Sequence, residues 1–234
     1  MRKQYDMQLQ RLNAELIHMG EMIREAISGA VSALLERDDE KARRIIGFDE
    51  EIDHQERLIE QMCFKLLLSQ QPVAADLRMV SSALKMITDM ERIGDHAADI
   101  SEIELMLERL PPVSNAHLRE MATQTSVMLI RSLEAFVEKD ERKAGWVIDQ
   151  DDVVDDLFTT VKQELIGQIR TSPDSGEQAA DLLMAAKYFE RIGDHATNIA
   201  EWAVYAMTGR RAGTEACRVR QEKQAGGACS SYDG

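Results

Sequence analysis

Seven residues, Glu91-Arg92-Ile93-Gly94-Asp95-His96-Ala97, recur letter for letter as Glu190-Arg191-Ile192-Gly193-Asp194-His195-Ala196. In each copy the glutamate and the aspartate are four residues apart, so on a helix both carboxylates lie on one face, near enough to share a cation. The same spacing appears upstream of each copy, in Asp49 and Asp53 and in Asp151 and Asp155, and Asp99 extends the first set by another turn. The candidate metal ligands are therefore Asp49, Asp53, Glu91, Asp95 and Asp99 in the first half, and Asp151, Asp155, Glu190 and Asp194 in the second. Oxygen-rich sets favour hard cations such as Mg²⁺, Mn²⁺ or ferric iron, and adjacent carboxylates repel one another unless a cation or proton intervenes. A single acidic pair at this spacing is ordinary on a solvated helix face. Recurrence of the spacing in two helices of both halves is what favours metal.

The residues around the acids have plainer uses. Arg92 and Arg191 can neutralise the carboxylates beside them, a structural role. Gly94 and Gly193 weaken a helix by about 1 kcal/mol relative to alanine, a cost that helix crossing explains most simply. His96 and His195 point away from the carboxylate face, so a capping or supporting role is expected of them rather than direct ligation. His54 with Glu51 makes a Glu-x-x-His pair of the di-iron bundle type, but Val153 and Asp156 stand at the matching places of the second half, so the pair is read as accidental. Gly-rich phosphate loops, Ser-His-Asp sets and Cys-His pairs are not found in the sequence.

The elements that must position these acids are helices. Only 4 prolines and 5% aromatic residues, among many Ala, Leu, Glu, Met and Arg, predict an all-α protein. Leu9, Leu12, Leu16, Met19, Ile23, Ala26 and Ala30 alternate at three and four and mark the seam of a long first helix. It ends at Arg37-Asp38-Asp39, where an aspartate can cap the next helix. The second helix spans about 40–69, with Ile45, Phe48, Ile52, Ile59 and Leu66 on one stripe. Asp49 and Asp53 sit roughly 60° and 100° from Ile52, at the edge of that stripe. Pro72 opens the third helix. Along it Leu77, Val80, Leu84 and Ile87 run into Glu91 and Asp95, while Met79, Met86, Ile93 and Ile100 line the opposite side. If the first side is core, the carboxylates are desolvated and demand compensating charge; if the second is, they lie on the bundle surface. The sequence leaves both open.

Pro111-Pro112 breaks the chain between halves. Glu36 to Ala42 then matches Glu138 to Ala144 at an offset of 102, which also carries Asp49 to Asp151 and Asp53 to Asp155. At the heptapeptide the offset is 99, so three residues are lost between helices, most simply around 171–176. Two three-helix bundles are expected, residues 1–110 and 113–208, with helices four to six at about 114–138, 140–170 and 176–208. The tail 209–234, rich in Gly, Ala, Ser and Arg, is expected to be disordered. A net charge of -14, from 42 acidic and 28 basic residues, argues against nucleic acid as a partner. No h-region and no run of eighteen apolar residues is present, so a cytoplasmic protein is expected. Cys63, Cys217 and Cys229 have no ligand-like spacing and read as reduced, incidental thiols.

Taken together, the duplicated aspartate pairs, the segment Gln71-Pro72-Val73-Ala74-Ala75-Asp76-Leu77-Arg78, and the stretches Thr88 to Ala97 and Tyr188 to Glu201 resemble the PhoU family of phosphate transport accessory and regulatory proteins, over about residues 5 to 208. The resemblance implies bundles related by pseudo-twofold symmetry, holding multinuclear clusters of iron, or of Zn, Mn or Mg, on the acidic motifs. It also implies a homodimeric adaptor that represses the phosphate-starvation response, linking the ATPase of a phosphate ABC transporter to a sensor histidine kinase and meeting the membrane only through those partners. Asn198 departs from the pattern, standing where the first copy has Asp99, and the tail matches nothing in the family. Beside the adaptor stand two other readings: a carboxylate-bridged metalloenzyme using the same acids, and a purely structural helical module.

Overall fold

The computed structural model describes residues 2–70, 74–107 and 116–210. The Pro111-Pro112 break, Pro72, Cys217, Cys229 and nearly all of the tail lie outside the described residues. The chain folds into six long helices: α1 (Arg2–Glu36), α2 (Asp39–Gln70), α3 (Ala75–Met106), α4 (Ala116–Glu138), α5 (Glu141–Thr171) and α6 (Gly176–Thr208). A short 3-10 turn, Pro173–Ser175, links α5 to α6 where the repeat loses its three residues.

The two α-hairpins that open the repeats are built alike, down to single atoms. Arg37 and Lys139, 102 apart, both adopt a left-handed backbone, with φ of 59° and 56°. The next residue caps the following helix: Asp38 Oδ1 accepts from the Lys41 amide at 2.9 Å, and Asp140 Oδ1 accepts from the Arg142 amide at 2.9 Å. Lys41 Nζ reaches back to Ser32 Oγ and Glu36, both at 2.8 Å, and Lys143 Nζ to Glu134 at 2.8 Å and Glu138 at 3.0 Å. Two consecutive Asp-rich turns of identical design follow from one duplicated sequence signal.

Each repeat is a three-helix bundle, and the bundles join through α3 against α6 and α1 against α4, leaving α2 and α5 to pack mainly within their own repeats. Leu12, Leu16, Met19, Ile23 and Ala30 of the α1 seam are all buried, as are Ile45, Ile52, Ile59 and Leu66 on α2; Phe48 is half-buried. The open question about α3 is decided here. Met79, Met86, Ile93 and Ile100 are buried, and Val80 and Ile87 join them, whereas Leu77 is exposed and Leu84 only partly covered. The buried strip therefore centres on the methionine and isoleucine side, and the carboxylates lie along its shoulder.

Gly20 lets α1 and α4 meet: a Cβ there would stand 2.3 Å from Leu133 Cδ1. Gly20→Val is expected to destabilise the protein by about 1–3 kcal/mol through overpacking. Gly47→Ala, whose Cβ would meet nothing, is expected to stabilise by about 0.5–1 kcal/mol. Midpoints of urea denaturation for the two variants separate the effects.

Candidate metal centre

The heptapeptide is helical in both copies, and its own residues divide among three directions. Ile93, Gly94 and Ala97 are buried, as are Ile192, Gly193 and Ala196. Gly94 is where α2 presses closest to α3. A Cβ on it would lie 3.1 Å from Ile52 Cγ2 and 3.3 Å from Asp49 Oδ1, too tight for ordinary packing. Gly193 is less crowded, with Val154 Cγ1 at 3.4 Å. The glycine thus draws the aspartates of α2 onto the acids of α3.

In the first repeat the result is a strip of partly buried like charges. Asp49, Asp53, Glu91, Asp95 and Asp99 are all half-buried. The Asp49 carboxyl is pushed from the ordinary 3.8 up to about 6, first by burial and then by the charges of Asp95, Asp53 and Asp99. Its Oδ1 is buried and has no hydrogen-bond partner. Burial and Asp95 also raise Glu91, which Arg92 only partly offsets. Arg92 holds Asp95 at 2.8 Å and Glu91 at 3.5 Å, the structural use that its position foretold. Arg57 reaches Asp53 at 3.5 Å. Glu56, one turn beyond Asp53, adds to the field on Glu91 and is itself raised by burial and by Glu60. Glu56 has no acidic counterpart in the second half, where Phe158 stands, so the duplicated spacing does not single it out.

The second repeat repeats the geometry and changes the chemistry. Asp151 and Glu190 are half-buried, Asp155 and Asp194 exposed. Lys187 Nζ pairs with Glu190; Thr88 stands in its place in the first half, where Arg92 is the cation beside Glu91. Thr197 Oγ1 donates to Asp151 Oδ1 at 3.4 Å. The matching place in the first half is Ala98, which has no donor to give Asp49 Oδ1. Asp194, exposed over part of its surface, has its carboxyl raised by the neighbouring protein that displaces water and by Glu190, while Lys187 and His195 pull it down. Two acid sets of one ancestry have thus diverged: the first keeps an orphaned carboxylate oxygen and an additional glutamate, the second has a lysine and a threonine in partial compensation.

Where α3 crosses α6, a polar seam brings together residues the acid spacing did not single out. His195 Nδ1 lies 2.8 Å from Asp89 Oδ1, and Asn198 Nδ2 donates to the same oxygen at 3.3 Å. His96 Nδ1 lies 3.2 Å from Asp99 Oδ2, and its ring packs against Tyr188 at 5.3 Å between centroids. At the offset of 99, Asp89 corresponds to Tyr188 and His96 to His195, so the two contacts across the seam are the same contact made twice. The histidine rings themselves approach to 5.6 Å. Burial pushes His96 below its ordinary value, against the pull of Asp99. His54 and Glu51 lie exposed on α2.

Among the described residues no three His, Cys, Asp or Glu side chains already stand in an arrangement that would enclose an ion. The acids instead form an open strip between α2 and α3. The residues present nevertheless fit a hard cation: an orphaned buried carboxylate oxygen and mutually raised carboxyls are the donor set such an ion satisfies.

A three-helix acidic bundle built twice and joined through α3 on α6 and α1 on α4 defines a duplicated all-α scaffold. The family model described as the PhoU domain matches it twice, at residues 16–103 and 118–203. The chain belongs to the PhoU family. It is 34% identical to a phosphate-specific transport system accessory protein PhoU homolog of Clostridium acetobutylicum, covering 90% of this chain and 97% of that protein. A homolog of the same name from Xylella fastidiosa strain 9a5c is 36% identical, covering 89% of each. The crystal structure of PhoU from Pseudomonas aeruginosa superposes with a TM-score of 0.82 at 31% identity, covering 88% of this chain and all of the other. That of the phosphate transport system regulatory protein PhoU from Streptococcus pneumoniae gives a TM-score of 0.82 at 30% identity, over 88% and 98%.

Because Asp49 titrates higher in the folded protein than in the unfolded chain, the native state binds the extra proton between about pH 4 and pH 6. Its contribution to stability therefore falls as pH rises through that window and stays low above it. In chelator, Asp49→Asn is expected to stabilise the protein at pH 7, by on the order of 1 kcal/mol once solvent screening is allowed for. The gain is expected to vanish below about pH 4. Denaturant titrations of both proteins across that range check the sign.

Proposed function

We propose that this protein is a metal-binding regulatory adaptor of phosphate homeostasis and not an enzyme. It restrains the phosphate-starvation response when phosphate is plentiful, coupling the ATPase subunit of a high-affinity phosphate ABC transporter to a sensor histidine kinase. The observation that carries the metal part is the orphaned, buried Oδ1 of Asp49 amid carboxyls that raise one another. A cation of the iron, manganese or magnesium class, with zinc as a softer alternative, neutralises that strip. Asp49, Asp53, Glu91, Asp95 and Asp99 hold it in the first repeat, and Asp151, Asp155, Glu190 and Asp194 in the second. With several carboxylates in reach, each set accommodates a multinuclear cluster of bridged ions. Occupancy is stronger in the first, where Asp49 Oδ1 has no donor, whereas Thr197 serves Asp151 in the second.

The adaptor part is supported by the names of the relatives, which are those of transport accessory and regulatory proteins. Among the described residues no helix is long and apolar enough to cross a membrane. The protein acts in the cytoplasm and meets the membrane through its partners. Phe64 and Leu68 on α2, and Ile166 and Ile169 on α5, are exposed apolar residues on the outer helices of the two repeats. These outer faces are where a second copy, in a homodimer, or a partner docks. Each repeat forms one domain of the adaptor, residues 1–110 and 113–208, with 209–234 as an appended tail.

Two measurements test the reading. Elemental analysis of protein purified without chelator is expected to find metal, with Asp49→Asn lowering the content more than Asp151→Asn. Metal-free wild-type protein from several preparations would overturn the metal part. Deleting the gene is expected to switch on phosphate-scavenging genes in phosphate-rich medium, and unchanged expression would overturn the adaptor part.

A further inference from the structure

The acid strips leave unused a second set of metal-competent groups at the crossing of α3 and α6. His96 and His195, one from each repeat, stand with ring centroids 5.6 Å apart. Each is oriented through Nδ1 by a carboxylate, His96 by Asp99 at 3.2 Å and His195 by Asp89 at 2.8 Å. A carboxylate can only accept, so each imidazole carries its proton on Nδ1 and leaves the Nε2 lone pair free to bind. Such a carboxylate hold on the far ring nitrogen is the usual support of a metal-bound histidine. Both rings border one open depression, with Asp194, Thr197 and Asn198 around it. The guanidinium of Arg191, also at its rim, lies 5.7 Å over the Tyr188 ring.

The spacing can be checked against a real coordination geometry. With metal–nitrogen bonds of about 2.0–2.1 Å, two imidazoles on one tetrahedral or trigonal cation place their ring centroids about 5–5.5 Å apart. The 5.6 Å found here lies close to that value. Nitrogen ligands select a borderline cation such as Zn²⁺, whereas the all-oxygen strips favour hard ions.

We propose that His96 and His195 form a zinc-class cation site across the seam between the repeats, using the two Nε2 atoms with water or the neighbouring Asn198 and Asp194 side chains completing the shell. The site borders the acid strips at Asp99 and Asp194, but its two nitrogen ligands belong to neither strip and it does not rest on their holding metal. Because its two ligands come from different repeats, an ion there ties α3 to α6.

The test is a titration of the full chain with Zn²⁺ in a large excess of Mg²⁺, followed by calorimetry, with Co²⁺ as a spectroscopic stand-in. One Zn²⁺ per chain is expected to bind through the excess Mg²⁺, and Co²⁺ is expected to show the strong visible absorption of a low-coordinate, nitrogen-ligated site. His96→Gln and His195→Gln should each abolish both signals while melting as cooperatively as wild type. Asp89→Asn, which frees the His195 ring, should weaken zinc at least about tenfold. Glu91→Gln with Asp53→Asn, which cripples a carboxylate site, should leave the zinc signal intact. Zinc that Mg²⁺ displaces, or that survives both histidine substitutions, would overturn the proposal while leaving the hard-cation reading of the strips untouched.

Discussion

Close packing of α2 on α3 at Gly94 sets the conditions for everything else in the first repeat. Where a Cβ would stand 3.1 Å from Ile52 and 3.3 Å from Asp49 Oδ1, the missing side chain lets α2 pack closely on α3 and carries the α2 aspartates into the field of the α3 acids. Burial at that crossing is an apolar gain, from Ile52, Ile93 and Ala97. Its cost is that Asp49 loses water without gaining a hydrogen-bond donor. Other buried polar atoms also lack a partner, among them Gln8 Oε1, Asn13 Oδ1 and Ser82 Oγ, but among these Asp49 is the carboxylate, and it lies amid further carboxyls, where a cation would satisfy it.

Divergence between the repeats follows from single substitutions at equivalent positions. Ala98 against Thr197 decides whether the α2 aspartate has a donor, and Glu56 against Phe158 decides whether the strip has a further carboxylate. In the second half, Lys187 pairs with Glu190 and its Nζ lies 5.5 Å from the Phe158 ring. Asp99 against Asn198 acts at the seam instead: Asp99 orients its own neighbour His96, whereas Asn198 turns across to share Asp89 with His195. Symmetry of the backbone is therefore compatible with two chemically different faces, the first with an additional glutamate and arginine partners, the second with a lysine and a threonine.

Most of the fold could be read in the chain itself, because helix periodicity, capping aspartates and an internal repeat are local signals of side-chain type and spacing. The hairpin turns at Asp38 and Asp140 illustrate this: one aspartate satisfies amides two or three residues on, so four letters suffice to place it. Helix limits agreed to within a few residues for the same reason. The candidate acids were legible too, as positions, since spacing of four on a helix is a one-dimensional property. Glu56 was not, because Phe158 stands in its place in the second copy, and a single unduplicated acid looks like any other on a solvated helix face.

The amino-acid sequence by itself determined that the chain is all-α, that it is built twice, and that each copy carries carboxylates on adjoining helix faces. Only the tertiary structure decided which side of α3 is core, since both of its sides carry apolar residues and the choice is made by which neighbour packs there. It alone showed that Asp49 is orphaned while Asp151 has Thr197, a difference that arises from contacts 46 residues apart in the chain. The meeting of His96 with His195 likewise depends on how α3 crosses α6, and no local pattern in either helix encodes the angle at which they meet.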